Sequence, residues 1–321
     1  MSDLTLGNKS SKATLQSLCN RPNTLTSGHR GCQGCGEALG ARCAIDAAYH
    51  AANGKIVVVN ATGCLEVFSC CFPENSWRVP WLHSLFGNAP AVATGVAAAM
   101  RVQGKSDVRV IAHGGDGSTV DIGMGCLSGM FDRNDDVLYI CYDNQAYMNT
   151  GVQRSGATPP LARTATTLPN KFYIGNDPMS GKNVPLIAMA HGIPYVATAS
   201  IGNIRDLEEK VSRAINIRGS KYVHIHVPCP LGWGYPTSET VKIAKLAIRC
   251  GLFPLFEAEN GKLVGSTLIE DPIPVEDYLR IQRRFAHLFG KSAPPGAAGI
   301  FQKIANENIE KYRLDGGISD D

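Results

Sequence analysis

Five short β-branched runs set the frame for this chain: "KIVVVN" (55–60), "VRVIAH" (108–113), "VLYICYDN" (137–144), "PYVATASI" (194–201) and "KYVHIHV" (221–227). Each is rich in apolar and β-branched residues, as strands of a largely buried parallel sheet are. The stretches between them, "NAPAVATGVAAAMRVQG", "VDIGMGCLSGMFDRN", "NVPLIAMAHG" and "NIRDLEEKVSRAINIRG", are small-residue-rich or amphipathic and read as helices. Asn203 before the last and Gly219 after it supply start and stop signals. Strands alternating with helices give an α/β fold, a doubly wound, mainly parallel sheet with helices on both faces. In such sheets ligands bind beyond the carboxyl ends of the strands. The loops that follow strands are therefore where chemistry is to be sought.

With 321 residues and 44% hydrophobic content the chain can bury a substantial core. Residues 1–24 are polar and aperiodic and read as an N-terminal arm, 25–292 as the main domain, and 293–321 as a C-terminal helix and frayed tail. Within the main domain, a helix at "SETVKIAKLAIRCGLF", a hairpin at "PLFEAENGKLVG" and a charged helix at "PVEDYLRIQRRFAHLFG" follow Cys229. Lys and Arg total 31 against 28 Asp and Glu, and no basic run is interleaved with aromatics, which argues against nucleic acid as a partner. The N-terminus lacks a signal-like pattern, and no apolar segment approaches the roughly 18 residues needed to span a bilayer. The expectation is a cytoplasmic protein with no membrane partner. Eleven cysteines in a reducing compartment are then ligands or small buried hydrophobes and not a disulfide framework.

"GGDG" (114–117) follows the 108–113 strand directly and opens a helix. Glycines there let backbone approach a phosphate, and Asp116 stands where a hard cation would bridge protein and phosphate. The next strand ends in "YDNQAYMNTG", with Asn144 at its tip. An aspartate and an asparagine beyond neighbouring strands can hold Mg²⁺ through oxygen, and the pairing resembles the diphosphate motif of thiamine diphosphate enzymes. "GCQGCGE" gives Cys32 and Cys35 the C-x-x-C spacing, while Cys64 and Cys229 each follow a strand. Four thiolates suit structural Zn²⁺ or a 4Fe-4S cluster, and spacing does not choose between them. Cys19, Cys43, Cys70, Cys71, Cys126, Cys141 and Cys250 read as packing residues. His29 and His83 are candidates to border the site, and His224 and His226 read as structural. No nucleophile elbow, H-E-x-x-H or phosphate-loop lysine motif occurs.

Taken in order, "GHRGCQGCGE", "NATGCLEV", "VPWLHSLFGNA", "GGDGSTVDIGMGCLSGM", "YDNQAYMNTGVQRSGATP", "IPYVATASIGN", "VPCPLGW" and "LFPLFEAENGKL" resemble the β subunit of pyruvate:ferredoxin oxidoreductase and its 2-oxoacid oxidoreductase relatives, from about residue 28 to about 290. The resemblance implies thiamine diphosphate and Mg²⁺ held by Asp116, the Asn144 side chain and the Ala146 carbonyl. It implies Gly115, Gly117, Asn149 and Thr150 around the diphosphate and thiazolium, with Gly36 and Glu37 bordering the cofactor, and Glu37 and Asn149 as the catalytic pair. Cys32, Cys35, Cys64 and Cys229 would bind a proximal 4Fe-4S cluster, which decides against zinc. The implied reaction is oxidative decarboxylation of a 2-oxoacid with one-electron transfer through the cluster to ferredoxin and formation of acyl-coenzyme A.

Two absences imply partners. Only one thiamine-type domain fits, so an α subunit would supply the aminopyrimidine-binding domain. No C-x-x-C-x-x-C-x-x-x-C-P run occurs, so ferredoxin-like γ and δ subunits or domains would carry electrons onward to ferredoxin or another acceptor. The resemblance implies an acidic residue in the stretch "LFGNA" of a pyruvate enzyme, and this chain has Gly87 there, which opens aryl glyoxylate or oxalate beside pyruvate as substrates. The competing readings are a non-oxidative thiamine diphosphate decarboxylase or synthase with a structural metal, and a zinc-rigidified scaffold.

Overall fold

The computed structural model describes residues 14–17, 20–71, 73–177, 181–290, 293 and 296–316. Cys19, most of the expected N-terminal arm and all but the start of the tail lie outside the described residues. The strands are β1 (Ile56–Ala61), β2 (Trp81–Ser84), β3 (Arg109–Gly115), β4 (Val137–Asp143), β5 (Tyr195–Ser200), β6 (Lys221–His226), β7 (Phe256–Glu259) and β8 (Lys262–Ser266). They form one sheet in the order β2-β1-β3-β4-β6-β5-β7-β8. The first six strands run parallel, and β7 and β8 add an antiparallel hairpin beside β5.

The helices are α1 (Gly36–Ala51), α2 (Cys64–Ser69), α3 (Ala89–Val102), α4 (Met124–Asp132), α5 (Val184–Ala190), α6 (Ile204–Asn216), α7 (Pro230–Trp233), α8 (Thr240–Arg249), α9 (Val275–Leu279) and α10 (Ala297–Tyr312). Alternate strand residues serve opposite cores, as a period of two demands. Val58, Ile111 and Leu138 meet α1 and α6 through Ile45, Leu207 and Val211. Their neighbours Val59, Val110 and Tyr139 meet α3, α4 and α5 through Ala93, Leu127 and Ala188. Each fully buried aliphatic side chain contributes about 1.5–3 kcal/mol, so both faces must be covered for the parallel strands to hold. A third core under α8, α9 and α10 includes Trp233, Phe285 and Phe301.

The five expected strands, the hairpin and the C-terminal helix are all present. One strand was not expected, and two expected helices need correction. The edge strand β2 falls on "WLHS", too short to carry a periodic signal. The helix after "GGDG" is split, with a π turn over Gly117–Ile122 ahead of α4. The charged helix after residue 274 is also two pieces, α9 and a 3₁₀ segment Arg283–Leu288. The break turns Arg284, only 5% exposed, into the interior, which a continuous surface helix would not do. Residues of the arm that are described dock on the body: the Leu15 amide donates to Glu208 Oε2 at 2.8 Å, and Thr24 donates twice to Asp46 Oδ1.

Candidate active site

Strand register gathers the candidate residues. Gly115 pairs with Tyr142 across β3 and β4, and Asp143 pairs with His226 across β4 and β6. The residues just beyond these strand ends, Asp116, Asn144 and the turn to Cys229, therefore emerge side by side. Gly115, Asp116, Gly117, Asn144, Ala146, Asn149 and Thr150 line one cleft of about 100 Å³. Glu37 and Cys64 line it too, together with Thr62, Tyr147 and Phe86, which the sequence did not single out.

Asp116 is 1% exposed. Burial pushes its carboxyl well above the usual carboxylate range, and the neighbouring Asp143 and Glu37 add to the shift. Ser155 Oγ donates to Asp116 Oδ2 at 2.5 Å and pulls the other way. The Asn144 side chain is divided between two jobs. Its Nδ2 donates to Glu37 Oε2 at 3.2 Å, while its Oδ1 is buried without a hydrogen-bond partner. A buried acceptor left unpaired costs about 1–3 kcal/mol, so this oxygen wants an electropositive ligand. An orphaned amide oxygen beside a buried carboxyl fits a hard cation such as Mg²⁺. Glu37 itself is raised to about 7 by burial, with donors from Asn144 and the Leu65 backbone opposing the rise.

Gly117 has no room for a side chain: a Cβ there would lie 2.4 Å from Tyr147 Cε1. Tyr147 Oη donates to the Gly117 carbonyl at 3.3 Å and to Asp121 Oδ2 at 3.1 Å, so the ring walls the turn closely. π turns recur at functional sites because the wider helix re-aims its first residues. Gly36 is glycine for another reason. Its Cβ would stand 2.4 Å from the Pro228 carbonyl, so it packs the start of α1 on the β6–α7 turn and does not line the cleft.

The four thiols approach the same edge from three segments. Cys35 and Cys229 are the N-cap residues of α1 and α7, their sulfurs accepting from the Ala38 and Gly232 amides at 3.4 Å each. Cys64 is the first residue of α2. Cys32 is exposed, and its loop is pinned by Thr240 Oγ1, which donates to the Gly34 carbonyl at 2.7 Å. Gly34 needs its positive φ of 71° there, where a Cβ would strike the Thr237 carbonyl. Burial pushes Cys35 up to about 12 and Cys64 higher, with Glu37 and the other thiols adding to the shift. Cys229 is raised by burial and then by Glu37 and Cys32. Among the described residues no three His, Cys, Asp or Glu side chains close on a point as a single bound ion would require.

Cys43, Cys141 and Cys250 are buried, whereas Cys70 is exposed and Cys71 half-exposed just past α2. His83 reaches the rim, its Nε2 2.9 Å from Thr62 Oγ1. His29 lies against Phe68 and accepts from the Gly31 amide through Nδ1, and is not among the cleft residues. His224 pairs with Asp143 Oδ2 at 3.0 Å and with Tyr222 Oη at 2.7 Å, and both ring nitrogens of buried His226 lack partners. Gly87 is buried, and a Cβ there would lie 2.7 Å from Ile122 Cγ2 and 2.8 Å from the Ile122 carbonyl oxygen. Glycine at 87 is thus explained by close packing on the π turn.

A parallel sheet that sets a buried Asp and an orphaned Asn oxygen beyond two adjacent strands, over a glycine turn with no room for a Cβ, is the diphosphate-binding domain of a thiamine diphosphate enzyme. The family of thiamine pyrophosphate enzymes, C-terminal TPP binding domain, matches residues 61–227. The pyruvate synthase subunit PorB of Methanosarcina barkeri is 51% identical over 291 residues, 90% of this chain and 97% of that protein. The ketoisovalerate oxidoreductase subunit VorB of Pyrococcus abyssi is 38% identical, covering 81% of this chain and 85% of its own. Among solved structures, the 2-oxoglutarate:ferredoxin oxidoreductase of Magnetococcus marinus, with 2-oxoglutarate, coenzyme A and succinyl-CoA bound, superposes with a TM-score of 0.55 at 26% identity, over 68% of this chain and 72% of that one. The chain belongs to the thiamine diphosphate-dependent 2-oxoacid:ferredoxin oxidoreductase family. None of its helices among the described residues is long and apolar enough to cross a membrane.

Proposed function

We propose that this chain is the cofactor-binding β subunit of a cytoplasmic 2-oxoacid oxidoreductase that decarboxylates pyruvate and forms acetyl-coenzyme A. The observation that carries the reading is the meeting of two donor sets on one sheet edge, oxygens of Asp116 and Asn144 in the cleft and the thiols of Cys32, Cys35, Cys64 and Cys229 beside it. The pyruvate synthase subunits at 45–51% identity support pyruvate as substrate. When bound, thiamine diphosphate supplies an electron sink for decarboxylation and an iron-sulfur cluster a one-electron acceptor.

This chain's part is to hold and orient. Asp116 and Asn144 Oδ1 would hold Mg²⁺ against the diphosphate, with the Ala146 carbonyl as a further ligand. Glu37 receives Asn144 Nδ2 and so leaves Oδ1 free for the metal. Gly115 and Gly117 let the backbone close on phosphate oxygens, and the Tyr147 ring keeps water from that side. Asn149 and Thr150 are exposed at the mouth, where a substrate would arrive. The four thiols would carry a 4Fe-4S cluster next to this cleft.

A cleft of about 100 Å³ is small beside the roughly 300–1,000 Å³ of complete small-molecule sites. That supports an α subunit closing the other half, with γ and δ subunits taking electrons onward to ferredoxin. The packing reason for Gly87 leaves no specific support for aryl glyoxylate or oxalate. The test is anaerobic purification of the complex, with iron, sulfide and zinc assays, the reduced-state EPR signal and a panel of 2-oxoacids. Iron and sulfide on this chain with coenzyme A-dependent turnover of pyruvate are expected. Zinc without iron would point to the non-oxidative thiamine enzyme, and activity confined to an aryl glyoxylate would remove pyruvate.

A further inference from the structure

Behind the Asn144 turn lies a buried arrangement that the proposed chemistry leaves unused. Gln145 has φ +67°, a left-handed conformation that a non-glycine residue adopts only when its surroundings impose it. Three bonds impose it here. The Gln145 amide donates to Asp143 Oδ1 at 2.8 Å, its carbonyl accepts from Thr158 Oγ1 at 2.8 Å, and its side-chain Oε1 accepts from Arg284 Nη2 at 2.6 Å. The neighbouring Asn144 carbonyl accepts from Trp233 Nε1 at 2.8 Å. Arg284 in turn lies over the Trp233 ring, 3.7 Å from its centroid, and its Nε donates to Gln282 Oε1 at 2.8 Å. Trp233 is fully buried and belongs to α7, whose N-cap is Cys229.

We infer that the stacked pair Trp233 and Arg284 is a positioning device that clamps the Asn144–Gln145 turn and aims Asn144 Oδ1 into the cleft, tying the cofactor cation's ligand to the helix that carries Cys229. The inference rests on the proposed Mg²⁺ and diphosphate site. Neither residue lines the cleft, so each acts through the turn. The clamp also accounts for a cationic side chain turned into the core at the break between α9 and the 3₁₀ segment, since only there does the guanidinium reach Gln145 and the indole face together. A stacked guanidinium with two fixed acceptors holds a backbone more rigidly than an apolar filler of the same volume.

The test uses the intact complex, stripped of Mg²⁺ and thiamine diphosphate by chelation and titrated with Mg²⁺ in excess thiamine diphosphate by isothermal calorimetry. Trp233→Phe keeps a ring for the stack and removes the indole donor together with part of a fully buried ring. Gln145→Gly removes the Arg284 acceptor while favouring the left-handed backbone, so it should fold at least as well as Gln145→Ala. Both W233F and Q145G are expected to weaken Mg²⁺ binding about tenfold, because a released turn must be re-ordered to present Asn144 Oδ1 to the cation. Cluster iron in Q145G should stay at the wild-type value, and Q145E, which still accepts from Arg284, should keep wild-type Mg²⁺ affinity. Wild-type affinity in both variants would overturn the clamp. Absence of Mg²⁺-dependent thiamine diphosphate binding in the wild-type complex would instead overturn the cofactor site and the clamp with it.

Discussion

Replacing Asp116 by Asn should make the cofactor-free protein more stable and the cofactor-loaded one less so. The Asp116 carboxyl is buried beside Asp143 and Glu37, and burial first, then those charges, raise its pKa well above the unfolded value near 3.9. The folded state then holds a proton that the unfolded chain releases, so stability is fully present below the unfolded pKa and falls by about 1.4 kcal/mol per pH unit until the folded pKa is passed. Asparagine does not titrate and keeps a similar shape, and the Ser155 hydroxyl can rotate to suit it. Between pH 5 and 7 the variant should therefore gain steadily on the wild type as the pH rises. Loading reverses the order: at 100 times its dissociation constant a ligand stabilises its site by about 2.7 kcal/mol, and only the carboxylate binds the cation well. Melting midpoints of the stripped complex at pH 5, 6 and 7, with and without Mg²⁺ and thiamine diphosphate, read both halves. A variant that is less stable than wild type when stripped at pH 7, or one that Mg²⁺ stabilises as much as wild type, would refute the reasoning.

Gly117→Ala places a Cβ 2.4 Å from the Tyr147 ring, an overpacking worth about 1–3 kcal/mol, so the KM for thiamine diphosphate should rise roughly 10- to 100-fold with cluster iron unchanged. Cys64→Ala should lose the cluster, seen as missing iron and a missing EPR signal, while Mg²⁺-dependent thiamine diphosphate binding persists. Electron delivery to ferredoxin at the normal rate in that variant would remove Cys64 from the ligand set. Gly87→Ala forces Ile122 aside and should lower the melting midpoint, by the equivalent of about 1–3 kcal/mol, without changing the ranking of 2-oxoacids by kcat/KM. A shifted ranking at unchanged stability would return Gly87 to a role in specificity.

The sheet was legible because its strands are buried on both faces and so announce themselves as runs rich in β-branched residues, and Val58 and Val59 serve opposite cores with no polar residue between them. Asp116 and Asn144 were legible because a strand's last residue fixes which loop follows it. What stayed hidden depends on distant segments. Ser155 meets Asp116 across 39 residues, and Arg284 meets Gln145 across 139, separations at which no periodicity links the partners. The π turn was hidden as well, because it follows from the packing of Gly87 and Gly123 around Ile122 and Ser118 and not from a local propensity. The residue types of the proposed metal sites are a sequence property, but the reason Gly36 and Gly87 must be glycine is tertiary.

Electrostatics makes the two donor sets one system. Glu37 is the common neighbour: it accepts from Asn144, it raises Asp116, and its charge also lifts Cys35, Cys64 and Cys229. With the Glu37 carboxyl raised to about 7 and the thiols pushed up by burial, the crevice favours bound protons that cations would displace. Loading of either proposed metal site would expel protons, and each cation would stabilise the charged form of the groups it faces. Glu37→Gln removes the shared charge while keeping an acceptor for Asn144 Nδ2. It should let the thiols ionise at lower pH, so that iron incorporation into the stripped complex shifts to lower pH by a fraction of a unit or more, with Asn144 still aimed at the cleft. An unchanged pH profile for iron uptake would mean that Glu37 does not link the two sites and that the thiols are held protonated by burial alone.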